Sequence, residues 1–266
     1  MFESGVAADD LLSSLPDPIL SEILSYLSFK NLVATCVLSM RWRHLWKQTP
    51  TVYGDTRDLN LRANITIIHI LFSPFLRQLE IDFYPENWLG LYNYCDQIRT
   101  PNLKKITIRF REGISSYPPF ICFLNPSLVE LELGPHMNYT PIIPQSMVRY
   151  YLPNLKRLTI HLIPYPHGSA QTAWVKNLIS SCPSIEELKM EVDFLNYSSS
   201  DLINNVIINS KNLMRLSVNL SNNHPTAFFV IIDCPKLEYG VIRAIDPTRE
   251  HDINNHMASS KLKLKI

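Results

Sequence analysis

Apolar side chains recur at helical spacing near the start of the chain. Over residues 11–49, one helix face is marked by apolar positions three or four residues apart, at Leu20, Ile23, Leu24 and Leu27. Shorter apolar clusters around Leu32 and around Trp42 predict two further short helices. Three helices in about 40 residues cannot hide all of their apolar surface, so we expect the excess to be buried against the following domain or a partner.

A different pattern begins near residue 60. The phrase L-x-x-L-x-L, with Ile, Val or Met as substitutes, recurs at intervals of 24 to 30 residues. Its first apolar anchors are Leu76, Leu103, Leu128, Leu155, Ile185, Leu213 and Leu237. One such unit cannot bury its apolar side alone, whereas stacked units share a continuous core, so the pattern predicts a repeat array.

Composition narrows the classes of function. The net charge of +1 gives no reason to expect nucleic acid or an anionic membrane as a partner. The closest two of the seven glycines, Gly113 and Gly134, are 21 residues apart, so no glycine-rich phosphate loop or nucleophile elbow can form. The histidines form no HExxH motif and no serine or cysteine has an activating context, so we expect neither an enzyme nor a bound metal or cofactor.

Cysteine usage and the chain start bear on the compartment. The five cysteines include no CxxC pair, which indicates free thiols in a reducing environment. The opening MFESGVAADD is acidic and lacks the apolar segment of a signal peptide. The longest strongly apolar run covers residues 227–232 and is too short to cross a bilayer. We therefore expect a cytoplasmic or nuclear protein that does not enter a membrane.

Residues 11–50 resemble an F-box of the kind that begins plant F-box/leucine-rich-repeat proteins. The resemblance rests on the Leu15-Pro16-Asp17 opening, on the helix end from Ile23 to Leu27, on Val37-Leu38-Ser39, and on Arg41-Trp42-Arg43 followed by Trp46. Met40 stands where lysine is usual, and Lys30-Asn31 where lysine-aspartate is common. The repeats at residues 60–266 are similar to leucine-rich repeats, in which each unit contributes one parallel strand.

The resemblance implies an α/β chain with two parts. A short three-helix F-box at residues 11–50 precedes a curved leucine-rich-repeat solenoid at 60–266, with parallel strands on its concave side. We expect about seven irregular repeats, with the terminal KLKLKI as a candidate for an incomplete eighth. Apolar spacing predicts convex helices at Trp174, Leu178 and Ile179, and at Leu202, Ile203, Val206 and Ile207. Gly240 replaces an apolar anchor, so we expect a distortion there.

The function implied by the resemblance is substrate recognition in an SCF-type ubiquitin ligase, for ubiquitin-dependent protein degradation. The F-box would bind a Skp-type adaptor, and through it a cullin scaffold, while the repeats hold an unknown protein substrate. The adaptor contacts implied are Leu15, Pro16, Leu20, Ile23 and Leu24, with Trp42 and Trp46 as either surface or core. The alternative is an interaction module outside ubiquitination, or a truncated nonfunctional relative, because the chain stops at Ile266 on a strand-like phrase without a polar cap.

Aligned repeats place the outward strand residues in three rows. The first row alternates in charge at Lys105, Glu130, Arg157, Glu187 and Arg215, with Gln78 before it and Tyr239 after it. We interpret it as a self-neutralising ladder rather than a binding stripe, because no single sign is left for a partner. The other rows are mixed and moderately polar, which suits a protein substrate. The candidate substrate contacts are Thr107, Arg109, Glu132, Thr159, His161, Lys189 and Glu191.

Overall fold

A computed structural model defines the architecture. It describes residues 11–55, 57, 73–84, 101–110, 125–137, 151–163, 170–193, 204–221, 228–244, 251–252 and 262–265.

The N-terminal unit is built from short helices. They are α1 (Leu11–Ser14), α2 (Asp17–Ser25), α3 (Phe29–Ala34) and α4 (Trp42–Leu45), with 3-10 turns at Thr35–Val37 and Trp46–Gln48. Pro16 directly precedes α2, where a missing amide hydrogen costs nothing, and Asp17 complements the positive end of its dipole. The hydroxyl of Ser28 accepts the Asn31 amide and caps α3. The predicted helices are therefore present, and α1 is an addition to them.

The repeats form one nine-stranded sheet in the order β1-β2-β3-β4-β5-β6-β8-β10-β11. All pairs are parallel except β10 with β11. The described strands are β1 (Thr51–Asp55), β2 (Gln78–Phe83), β3 (Lys105–Phe110), β4 (Glu130–Met137), β5 (Arg157–Ile163), β6 (Glu187–Asp193), β7 (Asn204–Asn209), β8 (Arg215–Ser221), β9 (Phe228–Asp233), β10 (Tyr239–Ala244), β11 (His251–Asp252) and β12 (Leu262–Lys265). The parallel stacking of the anchor strands is confirmed.

A second, three-stranded sheet has the order β12-β9-β7. The helix predicted from Leu202, Ile203, Val206 and Ile207 is wrong, because β7 occupies Asn204–Asn209 and pairs in parallel with β9. Three consecutive β-branched residues, Val206 to Ile208, favour a strand. The terminal KLKLKI contains β12, but β12 pairs antiparallel with β9 and adds no eighth parallel strand to the array.

The other predicted outer helix is present. It is α5 (Ala170–Ser180), whose Leu178 and Ile179 are buried and which contacts β7. Among the described helices, none has the length and apolar character needed to cross a bilayer.

One continuous core runs from the helices through the repeats, from Leu20 to Ile242. The second and third anchors of the repeats are buried as predicted, with Ile81 only half-buried. The residue between the second and third anchors was expected to be exposed, and this is wrong at Thr107, which is 1% exposed. Lys189 is exposed, and the other such residues are half-buried: Glu80, Glu132, Thr159 and Ser217.

Neighbouring side chains explain the burial of Thr107. It lies in register between Glu80 and Glu132 on the adjacent strands. The longer glutamates flank its short side chain, and the Thr107 hydroxyl donates to Glu132 Oε2 at 3.5 Å.

The expected distortion at Gly240 is not observed. β10 pairs with β8 in unbroken register from Tyr239 to Ala244. The irregularity lies in β4 instead, between Leu133 and His136. Pro135 within that segment has no amide hydrogen to continue the ladder, so the register shifts there.

Candidate functional site

The helical unit exposes an apolar surface. Eight of the eleven exposed large hydrophobic residues among the described part of the chain lie within its first 40 positions. They are Leu11, Leu12, Ile19, Ile23, Tyr26, Val37, Leu38 and Met40, which we call the apolar face. Apolar residues clustered on a surface in this way mark a site of protein interaction.

Helix α2 has apolar residues on two sides. Leu20 and Leu24 are fully buried, because α2 packs on α4 and β1. Ile19, Ile23 and Tyr26 point away from that core and are 48%, 40% and 82% exposed. Their spacing of four and three residues places them on a single helix side.

A second part of the apolar face follows α3. Val37 at the end of the 3-10 turn is 86% exposed, and Leu38 and Met40 are 63% and 66% exposed. Met40 is the residue that departs from the usual lysine, so the departure enlarges the apolar face rather than altering the core.

The structure exposes some of the predicted adaptor contacts and buries others. Pro16 and Ile23 are exposed, and Leu15 is half-buried against the core. The expectation that Leu20 and Leu24 face a partner is corrected, since both are buried within the chain itself. Trp42 and Trp46, which the sequence left between surface and core, are buried core residues. The residues that the sequence analysis missed are Leu11, Leu12, Ile19, Tyr26, Val37, Leu38 and Met40.

One arginine anchors the Leu-Pro-Asp opening. Arg41 donates from Nε to Asp17 Oδ1 at 2.7 Å and from a terminal nitrogen to the Leu15 carbonyl at 2.5 Å. These bonds join the start of α2 to the segment before α4.

The charge ladder predicted on the concave face is confirmed. Lys105, Glu130, Arg157, Glu187 and Arg215 are successive register partners across β3, β4, β5, β6 and β8. Lys105 Nζ lies 3.8 Å from Glu130, Arg215 lies 3.4 Å from Glu187, and Arg157 contacts Glu130. The hydrogen bond from Arg157 to Glu130 raises the pKa of its guanidinium. The row neutralises itself within the chain.

A polar cluster lies on the concave face of β1 to β3. Arg109 is 3.0 Å from Glu80 and 3.6 Å from Asp82, and the Tyr53 hydroxyl donates to Asp82 at 2.7 Å. That hydrogen bond raises the pKa of Tyr53. Burial lowers the pKa of Arg109, but the Glu80 hydrogen bond and the nearby carboxylates raise it above its ordinary value. These bonds tie β1, which continues from the helices, to the next two strands.

The candidate substrate residues share two adjacent rows of the concave face. Thr107, Glu132, Thr159 and Lys189 are register partners, and His161 pairs with Glu191 two positions further along β5 and β6. Nδ1 of His161 lies 2.7 Å from Glu191. Lys189 and Glu191 are exposed, whereas Thr107 is buried and cannot contact a partner directly. The remaining residues stay predictions.

The described residues contain no group of three His, Cys, Asp or Glu side chains placed to hold a metal ion. Cys182 and Cys234 are buried thiols. Burial raises the pKa of Cys182 to about 12, so this thiol remains protonated near neutral pH.

Comparison with known proteins agrees with the geometry. Residues 12–51 match the family model of the F-box domain, so the helical unit is an F-box domain. It is followed by a leucine-rich-repeat solenoid of parallel strands. Proteins with this combination are generally adaptors without enzymatic activity.

The chain is similar to plant proteins over most of its length. An F-box/FBD/LRR-repeat protein of Arabidopsis thaliana is 28% identical over 98% of this chain and 58% of its own length. Another is 28% identical over 90% of this chain and 52% of its own length. An F-box/LRR-repeat protein of the same plant is 26% identical, with coverages of 94% and 68%. The chain thus spans about half to two thirds of these relatives. No solved structure matches it.

Proposed function

We propose that this chain is the substrate-recognition subunit of an SCF-type ubiquitin ligase. The apolar face of the F-box docks a Skp-type adaptor, which connects the chain to a cullin scaffold. The concave face of the repeats holds a protein substrate for ubiquitin-dependent degradation. The chemistry of ubiquitin transfer belongs to other subunits, and the protein acts in the cytoplasm or nucleus.

The observation that supports this proposal is the concentration of exposed apolar side chains in the F-box domain. Fully burying an aliphatic side chain of this size stabilises a complex by about 1.5–3 kcal/mol. Ile23, Val37 and Leu38 together would therefore contribute on the order of 5 kcal/mol, before the cost of association.

Surface substitutions test adaptor docking without disturbing the core. Ile23→Asp combined with Val37→Asp should abolish capture of a co-expressed Skp-type adaptor, because both residues are exposed. Tyr151→Asp is the matched control, since Tyr151 is 59% exposed but lies in the repeats. Leu24→Asp is unsuitable because Leu24 is buried and its loss would unfold the helices.

Circular dichroism melting of each variant establishes that the fold is retained. Adaptor capture by the double variant at the level of the Tyr151→Asp control would refute docking through the apolar face. A wild-type chain that binds no adaptor would favour an interaction module outside ubiquitination.

The substrate side needs a separate experiment. Lys189→Glu with Glu191→Lys exchanges two exposed concave charges while leaving the net charge unchanged. If the concave face holds substrate, proximity labelling in plant cells should lose proteins that the wild type labels and keep the adaptor. An unchanged set of labelled proteins would contradict substrate binding at these positions.

A further inference from the structure

The strand starts of the array form an edge that is distinct from the concave face. Along this edge, the amides of each strand start bond to a carbonyl of the previous repeat. Arg77 and Gln78 donate to the Pro50 carbonyl, and Lys104 and Lys105 donate to the Arg77 carbonyl. These bonds define a row directly before the charge ladder, at Pro50, Arg77, Lys104, Val129, Lys156, Glu186, Met214 and Glu238.

Two like charges are neighbours in this row. The register between β2 and β3 places Arg77 beside Lys104, and both side chains are exposed. Within the described part of the chain, neither forms an ion pair. The Lys104 ammonium donates a hydrogen bond to the Ser127 carbonyl at 3.4 Å. Adjacent like charges destabilise a sheet.

Cations in neighbouring positions of the array, unlike Arg77 and Lys104, lie beside acidic residues. In the ladder one position further along, each cation has an acidic register partner. Further along the edge itself, Lys156 Nζ pairs with Glu186 at 2.9 Å. Among the described residues of this edge, Lys156 is therefore compensated by Glu186, whereas Arg77 and Lys104 are neighbours of like charge.

An exposed aromatic ring adjoins the pair. Phe75 is 51% exposed, and the preceding Pro74 accepts a hydrogen bond from Asn102 on the next repeat at 2.6 Å. Phe75, Arg77 and Lys104 lie at neighbouring strand starts, and we call these three residues the basic edge.

We propose that the basic edge docks an acidic segment of a partner protein that contains an apolar residue. Carboxylates of the segment would pair with Arg77 and Lys104, and its apolar residue would pack on the Phe75 ring. A protein segment fits better than nucleic acid, because the whole chain has a net charge of only +1. The identification of this partner as the substrate rests on the proposed function. The binding of an acidic segment at the basic edge is independent of it.

Fluorescence anisotropy with a defined probe tests the basic edge. The probe is a labelled dodecapeptide of Glu and Asp with one central Phe, titrated with the full chain at low salt. Arg77→Glu with Lys104→Glu should weaken binding by about tenfold or more, because two attractions become repulsions. The matched control is Lys211→Glu with Lys236→Glu, two exposed lysines on the same edge beside β8 and β10. It should bind the probe within about twofold of wild type.

Each outcome decides the proposal. Weaker binding by the Arg77/Lys104 variant alone, lost for the wild type as salt is raised, supports it. Absence of probe binding by the wild type, equal loss in both variants, or tighter binding of a single-stranded oligonucleotide overturns it. Adaptor capture by the same proteins is measured in parallel, so that failure of the F-box proposal is distinguished from failure here.

Discussion

A methyl group added at Gly134 should destabilise the repeat array. Its Cβ would lie 3.0 Å from the Arg109 Cα and 3.1 Å from the Ile108 carbonyl oxygen, both backbone atoms of the adjacent strand. Atoms this close must separate, and β3 is itself held in register by β2. Forcing extra volume into a packed interior typically costs about 1–3 kcal/mol.

Gly54 provides the matched control. It is likewise buried within a strand, but the nearest atom to its added Cβ would be the Phe29 Cβ at 4.0 Å, an ordinary contact. Alanine there restricts the unfolded chain without a clash, which stabilises a protein by about 0.4–1 kcal/mol. The same gain applies at Gly134, so the expected net loss for Gly134→Ala is about 1–2 kcal/mol.

Urea and thermal denaturation of the two variants measure this difference. For a domain of this size, about 1 kcal/mol corresponds to a shift in Tm of about 2–4 °C. Gly134→Ala should therefore melt several degrees below wild type, while Gly54→Ala melts at or slightly above it. Equal melting of the two variants would refute the close approach of β3 and β4.

Two further predictions concern charge and burial. Arg157→Glu places three acids side by side in the charge ladder. It should lower the free energy of unfolding by about 1 kcal/mol or less, with the larger loss at low salt, and leave substrate capture intact. Loss of capture at wild-type stability would instead show that the ladder binds the substrate. Because burial raises the pKa of Cys182 to about 12, alkylation near neutral pH mapped by mass spectrometry should label half-exposed Cys36 and spare Cys182. An unfolded thiol ionises near pH 9.0, so the contribution of Cys182 to stability should be complete below that pH and disappear as the pH rises towards 12.

The register of the array could be predicted because the anchors allow only one solution. Side chains alternate between the two faces of a strand, so a slip of one residue would expose every anchor. Aligning Leu103 with Leu128 therefore also aligns Lys105 with Glu130, as the strand pairing shows. The positions of the apolar anchors therefore also determine which charged side chains are neighbours on the concave face.

Strands without that phrase could not be predicted in the same way. β1 contains only Val52 and the side-chain-free Gly54 on its inner face, so its sequence has no recognisable apolar alternation. It forms because β2 pairs along its whole length, a contact between residues far apart in sequence. The short apolar run of β7 fits both the helical and the strand period, and its pairing with β9 decides in favour of the strand.

In the F-box, apolar spacing predicts the helix α2 but not which of its sides is buried. Apolar spacing in α2 predicts a helix, but Ile19 and Ile23 repeat at the same interval as Leu20 and Leu24. Two such sets on different sides satisfy the same helical period, so the sequence cannot say which set faces the core. The structure assigns the leucines to the core because α4 and β1 cover them. Within the described residues the isoleucine side of α2 is left exposed. Because the leucine side is already buried, this isoleucine side is the part of α2 at which we propose that a partner binds.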